Sequence, residues 1–239
     1  MDGVISLEKL YRVADYISDF FVQKKLKHIF LLPGGGNMYL VDGFGKNSKI
    51  EVVPCLHEQA ASIAAEAYSR ITENIGLALI TTGPGSTNAI TGVVGSWIES
   101  IPLIIISGQV KTKDIMQNTL VRQNGVQEVD IISMVKKITK FSYTIKKKEE
   151  IKSVLEKAFY HAKKNRPGPV WIDIPLDIQG APIKLSSLKG WNGHSKKQSK
   201  IISNIKIKKI NKLILESKRP IILAGHGVRL SGNTNLFTK

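Results

Sequence analysis

One carboxylate stands where it could do chemistry. In the run PCLHEQAASIAAEAYSR, beginning at Pro54, Glu58 falls where an apolar strand expected at 50–56 gives way to an alanine-rich helix. A Glu held between a strand end and the small residues Ala60, Ala61 and Ala64 is half-desolvated, so it can share a proton with a ligand nitrogen instead of facing water. The structural alternative is an acid that favours a helix amino terminus. His57 flanks it as a cap, an orienting group or a direct proton carrier. Cys55 is the single cysteine, which excludes an intramolecular disulfide framework; it reads as a small core residue buried beside Glu58 rather than as a nucleophile. Two glycine-rich breaks accompany the carboxylate. In TTGPGSTNAITGVVGSWIES, from Thr81, a strand at 77–81 stops at Gly83-Pro84-Gly85 and a helix restarts, with Ser86 or Thr87 as the expected cap. In LLPGGG, from Leu31, a buried strand ends in Pro33 and three glycines. Gly34 and Gly35 either let backbone approach a ligand or only make a tight turn.

The elements that must position these residues alternate along the chain. An amphipathic helix carrying Leu7, Leu10, Val13, Ala14, Ile17, Phe20 and Phe21 comes first. Strands are expected at 28–32, 50–56, 77–81, 102–107, 141–145 and 169–174, with helices at 58–72, 86–94, near 128–134 and at 149–164. Nearly all-apolar strands alternating with helices imply an α/β fold, a parallel sheet flanked by helices on both faces. Ligands on such sheets bind beyond the carboxyl ends of the strands. The glycine turn after Leu32, Glu58, the break at Gly83 and a turn at Gly108–Gln109 all fall on that edge, which makes it the expected site.

From Pro182 the pattern lapses into Ser, Lys, Asn and Gly around Trp191, so 183–205 reads as a linker. A helix at 206–217, a strand PIILAGHG from Pro220, a glycine turn and a helix start in SGNTNLFTK follow. One helix and one strand cannot make a core, so the chain is expected to be the front portion of a longer protein. No apolar run reaches the roughly 20 residues of a membrane helix, and Met1 leads into no signal-peptide pattern, so the expected compartment is cytoplasmic and no membrane is involved. The net charge of +16 comes mostly from scattered lysines such as Lys24, Lys25, Lys27, Lys163 and Lys164. Without aromatic interleaving, an Arg-rich helix or a zinc pattern, it implies a solvated surface and a basic linker, not a nucleic-acid partner.

Five blocks carry a resemblance: LLPGGG at Leu31, HEQAASIAAEAYSR at His57, TTGPGSTNAITGVVGSWIESIPLIIISGQV at Thr81, QEVDIISMVKKITK at Gln127 and RPGPVWIDIPLDIQ at Arg166. In order and spacing the chain resembles the amino-terminal region of the acetolactate synthase (acetohydroxyacid synthase) large-subunit family, within the thiamine-diphosphate (ThDP) enzyme superfamily. The resemblance makes 1–182 the pyrimidine-binding (Pyr) domain and 206–239, through RPIILAGHGVRLSG at Arg219, the start of a central domain. It implies a carboligase that decarboxylates pyruvate and passes the two-carbon unit to a second 2-oxo acid, in branched-chain amino-acid biosynthesis. Glu58 is then the catalytic acid that bonds the ring nitrogen of the cofactor's aminopyrimidine and favours its imino tautomer. Gly34 and Gly35 match the turn beside the reacting carbons, and Thr82, Gly83 and Asn88 the region near the aminopyrimidine. Gln109, Gln127 and Lys140 match positions lining the substrate or flavin channel, though each also reads as an ordinary surface polar residue. Gly225 and Gly227 match glycines that lie against FAD in the members that bind it.

Two departures stand out. Val126 replaces the Phe that usually lines the substrate pocket, after an unusual LVRQNG from Leu120, which leaves room for a larger acceptor such as a keto-sugar. The GDG…N motif of a carboxyl-terminal domain, which holds the diphosphate and Mg²⁺, does not occur here, so this chain supplies no metal ligand of its own. Because the Glu of one subunit serves a cofactor held by another, a homodimer or homotetramer is implied, with a regulatory small subunit as a further partner. The remaining readings are a related ThDP decarboxylase, a non-catalytic Pyr-domain remnant, and a basic nucleotide-binding module.

Overall fold

A computed structural model describes residues 11–116, 120–193 and 202–238. It contains two compact units, Met1–Gly193 and His194–Lys239.

The first unit is built on six parallel strands: β1 (His28–Leu31), β2 (Glu51–Pro54), β3 (Gly76–Ile80), β4 (Leu103–Gln109), β5 (Phe141–Thr144) and β6 (Val170–Pro175), in the order β2-β1-β3-β4-β6-β5. Every residue of β3, β4 and β6 is buried, as their unbroken apolar runs require when both faces are covered, while the edge strands β2 and β5 are half-exposed. Alternate residues serve opposite faces. Leu77, Leu79, Ile104 and Ile106 pack under α1 (Val13–Gln23), α2 (Met38–Gly45) and α7 (Ile151–Lys163). Ala78, Ile80, Leu103 and Ile105 pack under α3 (Glu58–Thr72), α5 (Ile90–Glu99) and α6 (Ile131–Val135). Two short helices, α4 (Pro84–Asn88) and α8 (Leu176–Gln179), follow β3 and β6 directly.

The small residues of α3 explain how close Glu58 comes to the sheet. A Cβ at Gly76 would lie 1.9 Å from the Ala65 carbonyl oxygen, and one at Gly92 would lie 2.3 Å from Ser62 Oγ. The helix therefore meets β3 and α5 almost backbone to backbone, with Ala61, Ser62 and Ala65 on the buried face.

Several expectations are corrected. No periodic pattern signals α2, and the first helix begins within the described residues only at Val13, with Leu7 and Leu10 outside them. The helix expected at 86–94 is two helices, and neither Ser86 nor Thr87 caps it: Gly83 takes the cap position with φ +59° and Pro84 opens the helix. Pro fits there because the first helical N–H has no intrahelical partner. Ser86 instead donates to the Thr81 carbonyl at 2.6 Å. β4 runs on to Gln109, so Gly108 and Gln109 lie in the strand rather than in a turn. The unit also continues past Pro182, where Ile183 N donates to Tyr11 O at 2.9 Å and the Trp191 ring lies 4.8 Å from Tyr160.

The second unit holds α9 (Asn204–Glu216), α10 (Gly227–Leu230) and α11 (Thr234–Phe237). The strand expected from Pro220 does not form; among the described residues of this unit no other strand exists for it to pair with. No helix of the described residues is long and apolar enough to cross a membrane.

Candidate functional site

The carboxyl edge of the sheet collects the expected residues. β2 ends at Pro54, and His57, in extended backbone, caps α3 by accepting Gln59 N at 3.2 Å on Nδ1, so Glu58 is the first helical residue. His57 is exposed and serves as a cap here. Cys55 is half-buried rather than buried; its amide pairs with Leu31 O and burial pushes its thiol up, which suits a strand-end residue and not a nucleophile.

Glu58 is 7% exposed. Among the described residues its one side-chain hydrogen bond comes from Asn88 Nδ2, at 3.1 Å from Oε2. Its other oxygen faces the glycine turn: a Cβ at Gly85 would stand 2.9 Å from Oε1 and 2.6 Å from Thr81 Cγ2. Gly83 is needed twice over, for its positive φ and because a Cβ would come within 1.8 Å of the Gln127 carbonyl oxygen.

The turn after β1 leans on the same strand end. Gly36 N donates to Thr81 Oγ1 at 3.2 Å, Gly34 N to Asn37 Oδ1 at 2.8 Å, and Gln179 Nε2 to the Gly36 carbonyl at 2.7 Å. Gly34 has no room for a side chain, with a Cβ 2.5 Å from Thr81 Oγ1, whereas Gly35 faces open space. Beside Gly83, Thr82 Oγ1 donates to Gln109 Oε1 at 3.0 Å, and Gln109 in turn donates to Asp173 and to the Val129 carbonyl.

Gly34, Gly35, Glu58, Thr82, Gly83, Asn88, Gln109 and the backbone of Gln127 are thus brought to one edge. Gln127 adopts φ +59° and is exposed, and Val126 next to it is 81% exposed. Lys140 is not brought there. It precedes β5 at the opposite, amino-terminal edge, where its Nζ donates to the Lys164 carbonyl, and burial and the Lys164 charge hold its ammonium below the usual lysine range. Gly225 and Gly227 lie in the second unit, each with open space where a Cβ would be.

Sequence reasoning missed Thr81, Gly36, Asn37, Gln179, Glu128 and Asp173. Glu128 accepts from Met116 N, Asn124 N and Gly125 N. For Asp173 a signal was present: an acid inside the apolar run VWIDIP has to be satisfied by partners elsewhere.

These placements meet a family description. The model of the thiamine pyrophosphate enzyme, N-terminal TPP binding domain, matches residues 11–134. The acetolactate synthase large subunit of Buchnera aphidicola from Schizaphis graminum is 36% identical over 224 residues, which cover 93% of this chain and 38% of that protein. A probable acetolactate synthase large subunit of Methanocaldococcus jannaschii is 37% identical over 87% of this chain and 34% of its own length. The acetolactate synthase isozyme 3 large subunit of Escherichia coli K12 is 33% identical, with 92% and 38% covered. The chain therefore spans well under half the length of these relatives.

Proposed function

The chain belongs to the thiamine pyrophosphate enzyme family, and from that membership we propose that it supplies the pyrimidine-recognising part of a ThDP-dependent carboligase of the acetolactate synthase kind. The observation that carries the reading is Glu58: a buried carboxylate at a strand end, bonded among the described residues by Asn88 on one oxygen, with its other oxygen over a turn too tight for any side chain at 85.

The residues fit the cofactor. Gly35 faces open space where a flat heterocycle could lie against backbone, the glycines at 34, 83 and 85 let the turns close tightly around the carboxylate, and Glu58 presents an acceptor or, once protonated, a donor to a ring nitrogen. When bound, ThDP supplies a carbon nucleophile and a sink for the electron pair that decarboxylation leaves behind. The chain's own part is to hold a proton at the Glu58 carboxyl, to orient that carboxyl through Asn88, and to keep water from it with the turn at Thr82–Gly85.

The domain reading follows the same lines: 1–182 as the Pyr domain, with 183–193 packed in the same compact unit, and 206–239 as the beginning of a central domain whose Gly225 and Gly227 would face FAD. Diphosphate and Mg²⁺ fall to a domain beyond this chain. The acceptor is a 2-oxo acid or, because Val126 is small and exposed, a larger carbonyl compound. The relatives are named as large subunits, which supports a partner subunit for the whole protein. α3 and α5 leave Ile63, Trp97 and Ile98 exposed, in keeping with a homodimer or homotetramer.

The test is Glu58→Gln in the full-length protein. The swap is nearly isosteric, so the fold survives, and proton exchange at the thiazolium carbon of added ThDP slows by roughly 10²- to 10⁴-fold. Unchanged exchange removes Glu58 from this role.

A further inference from the structure

Asp173 has no part in the function proposed above, yet it is a fully enclosed carboxylate with three side-chain donors aimed at it. It stands in the middle of the apolar strand β6, 1% exposed. Ser107 Oγ donates to its Oδ1 at 2.6 Å, while Gln109 Nε2 and Thr144 Oγ1 donate to its Oδ2 at 3.0 and 3.2 Å. Ser107 receives Trp171 Nε1–H at 2.8 Å, which leaves its own proton free for Asp173.

Gln109 is the hub. Its amide orientation is fixed by two backbone groups: Val110 N–H donates to Oε1 at 2.9 Å, and Nε2 donates to the Val129 carbonyl at 3.1 Å. The remaining bonds then have only one sense. Thr82 donates to Oε1, and the second Nε2 proton points at Asp173, which must accept. One side chain thereby ties the start of the glycine turn to the segment after Gln127. Those two stretches already touch backbone to backbone at Gly83 and Gln127.

We propose that Asp173 is a positioning residue for the Glu58 site, acting through Gln109 to hold the Thr82–Gly85 turn and the Gln127–Val129 segment in a single register. The physical reason is acceptor-only chemistry. Once ionised, the carboxylate can take all three donors at once and strengthens each bond by its charge, so the comparison belongs at pH 8, above the value of about 7 to which burial lifts this group. An amide side chain here would have to turn its NH₂ group either toward Gln109, whose Nε2 is itself a donor, or toward Ser107, whose hydroxyl would then give up its own bond to position 173 and accept beside Trp171; in both cases the bond to Gln109 loses the acceptor's charge. The proposal rests on the reading of Glu58 as the cofactor's partner.

The experiment uses the full-length protein with Asp173→Asn, Asp173→Asn combined with Gln109→Glu, and Thr82→Val. Amide hydrogen exchange without cofactor and ThDP affinity by calorimetry are both measured. Asp173→Asn should speed exchange in 82–88 and 125–130 while leaving 58–72 unchanged, and should weaken ThDP binding about tenfold, the size expected when a buried donor loses its acceptor. The double variant gives the introduced amide at position 173 an acceptor again and keeps an acceptor for Thr82, but a carboxylate at 109 cannot donate to the Val129 carbonyl, so protection should return at 82–88 and not at 125–130. Thr82→Val, which leaves Asp173 intact, should loosen 82–88 but not 125–130, which separates loss of the turn's own bond to Gln109 from loss of the carboxylate behind Gln109. ThDP binding equal to wild type in both Asp173→Asn and Thr82→Val overturns the proposal, as does exchange that rises evenly over the whole sheet. Failure of the wild-type protein to bind ThDP, with the exchange pattern as described, overturns the function proposed above and leaves the coupling of the two loops standing.

Discussion

Asp173 carries its charge among three neutral donors, with no ion pair to it among the described residues, and that is costly. Burial is the dominant cause that lifts its carboxyl to about 7, its three hydrogen bonds pull the other way, and the charge of Asp130 adds to the rise. In the unfolded chain the same group titrates at about 3.9. Between those values the folded chain keeps a proton that the unfolded chain has lost. The contribution of this group to stability is therefore largest below about pH 4, falls as pH rises toward 7, and levels off above. Asp173→Asn removes that slope. Urea midpoints of wild type and variant, compared at pH 4.5 and pH 8, should show the wild type losing more stability than the variant on going to the higher pH. Parallel changes in the two proteins would mean that Asp173 does not titrate in this range.

Glycines set how closely the elements approach, and two of them make a paired prediction. At Gly76 a methyl group would lie 1.9 Å from the carbonyl oxygen of Ala65, and backbone in the middle of α3 cannot give way. Gly76→Ala should cost about 1–3 kcal/mol, the usual range for overpacking. Gly95, inside α5, has nothing within 4 Å of a Cβ, so Gly95→Ala should be neutral or should stabilise the chain by up to about 1 kcal/mol through helix propensity alone. Denaturant midpoints separate the two; equal effects would mean that α3 does not rest on β3 as described. The same elements show how far the sequence could be read. The bounds of α3 are legible because its alanine face, its His cap and the break after Thr72 all agree. α2 is not legible, since Gly43 and Gly45 weaken its propensity and only Leu40 and Phe44 bury apolar side chains. Packing overrides propensity there: Phe44 stacks 6.3 Å from Phe21, and Gly43 admits the Ala14 carbonyl. Glu58, Gly83 and Gln109 could be picked out because each sits at or near a strand end. Gln179 could not, and the acid in VWIDIP could mark Asp173 as needing partners without saying which, because Gly36 and Gln109 lie 143 and 64 residues away from them in sequence.

On the scale of the whole molecule, the two units differ in what they bury. The first encloses β3, β4 and β6 completely, and each buried Leu or Ile there is worth about 1.5–3 kcal/mol against an ordering cost of about 1–2 kcal/mol per residue. The second buries no residue among those described. Its longest element, α9, has 13 residues, a length at which an isolated helix is marginal in water, and it leaves Ile205, Ile210, Leu213 and Leu215 exposed. Lysines at 206, 208, 209 and 212 repel one another along it, and the one ion pair within it, Lys212–Glu216 at 3.6 Å, is exposed and worth only a few tenths of a kcal/mol. In the 239-residue chain, amides of 204–216 should therefore exchange with protection at least about 10²-fold below those of β3, β4 and β6, because their opening needs only local fraying whereas the central strands open with the whole sheet. Mass-resolved hydrogen exchange of this chain reads both regions in one sample. Protection of 204–216 equal to that of the central strands would mean that the second unit has a core of its own, and the assignment of 206–239 as the start of a domain still lacking its sheet would fall.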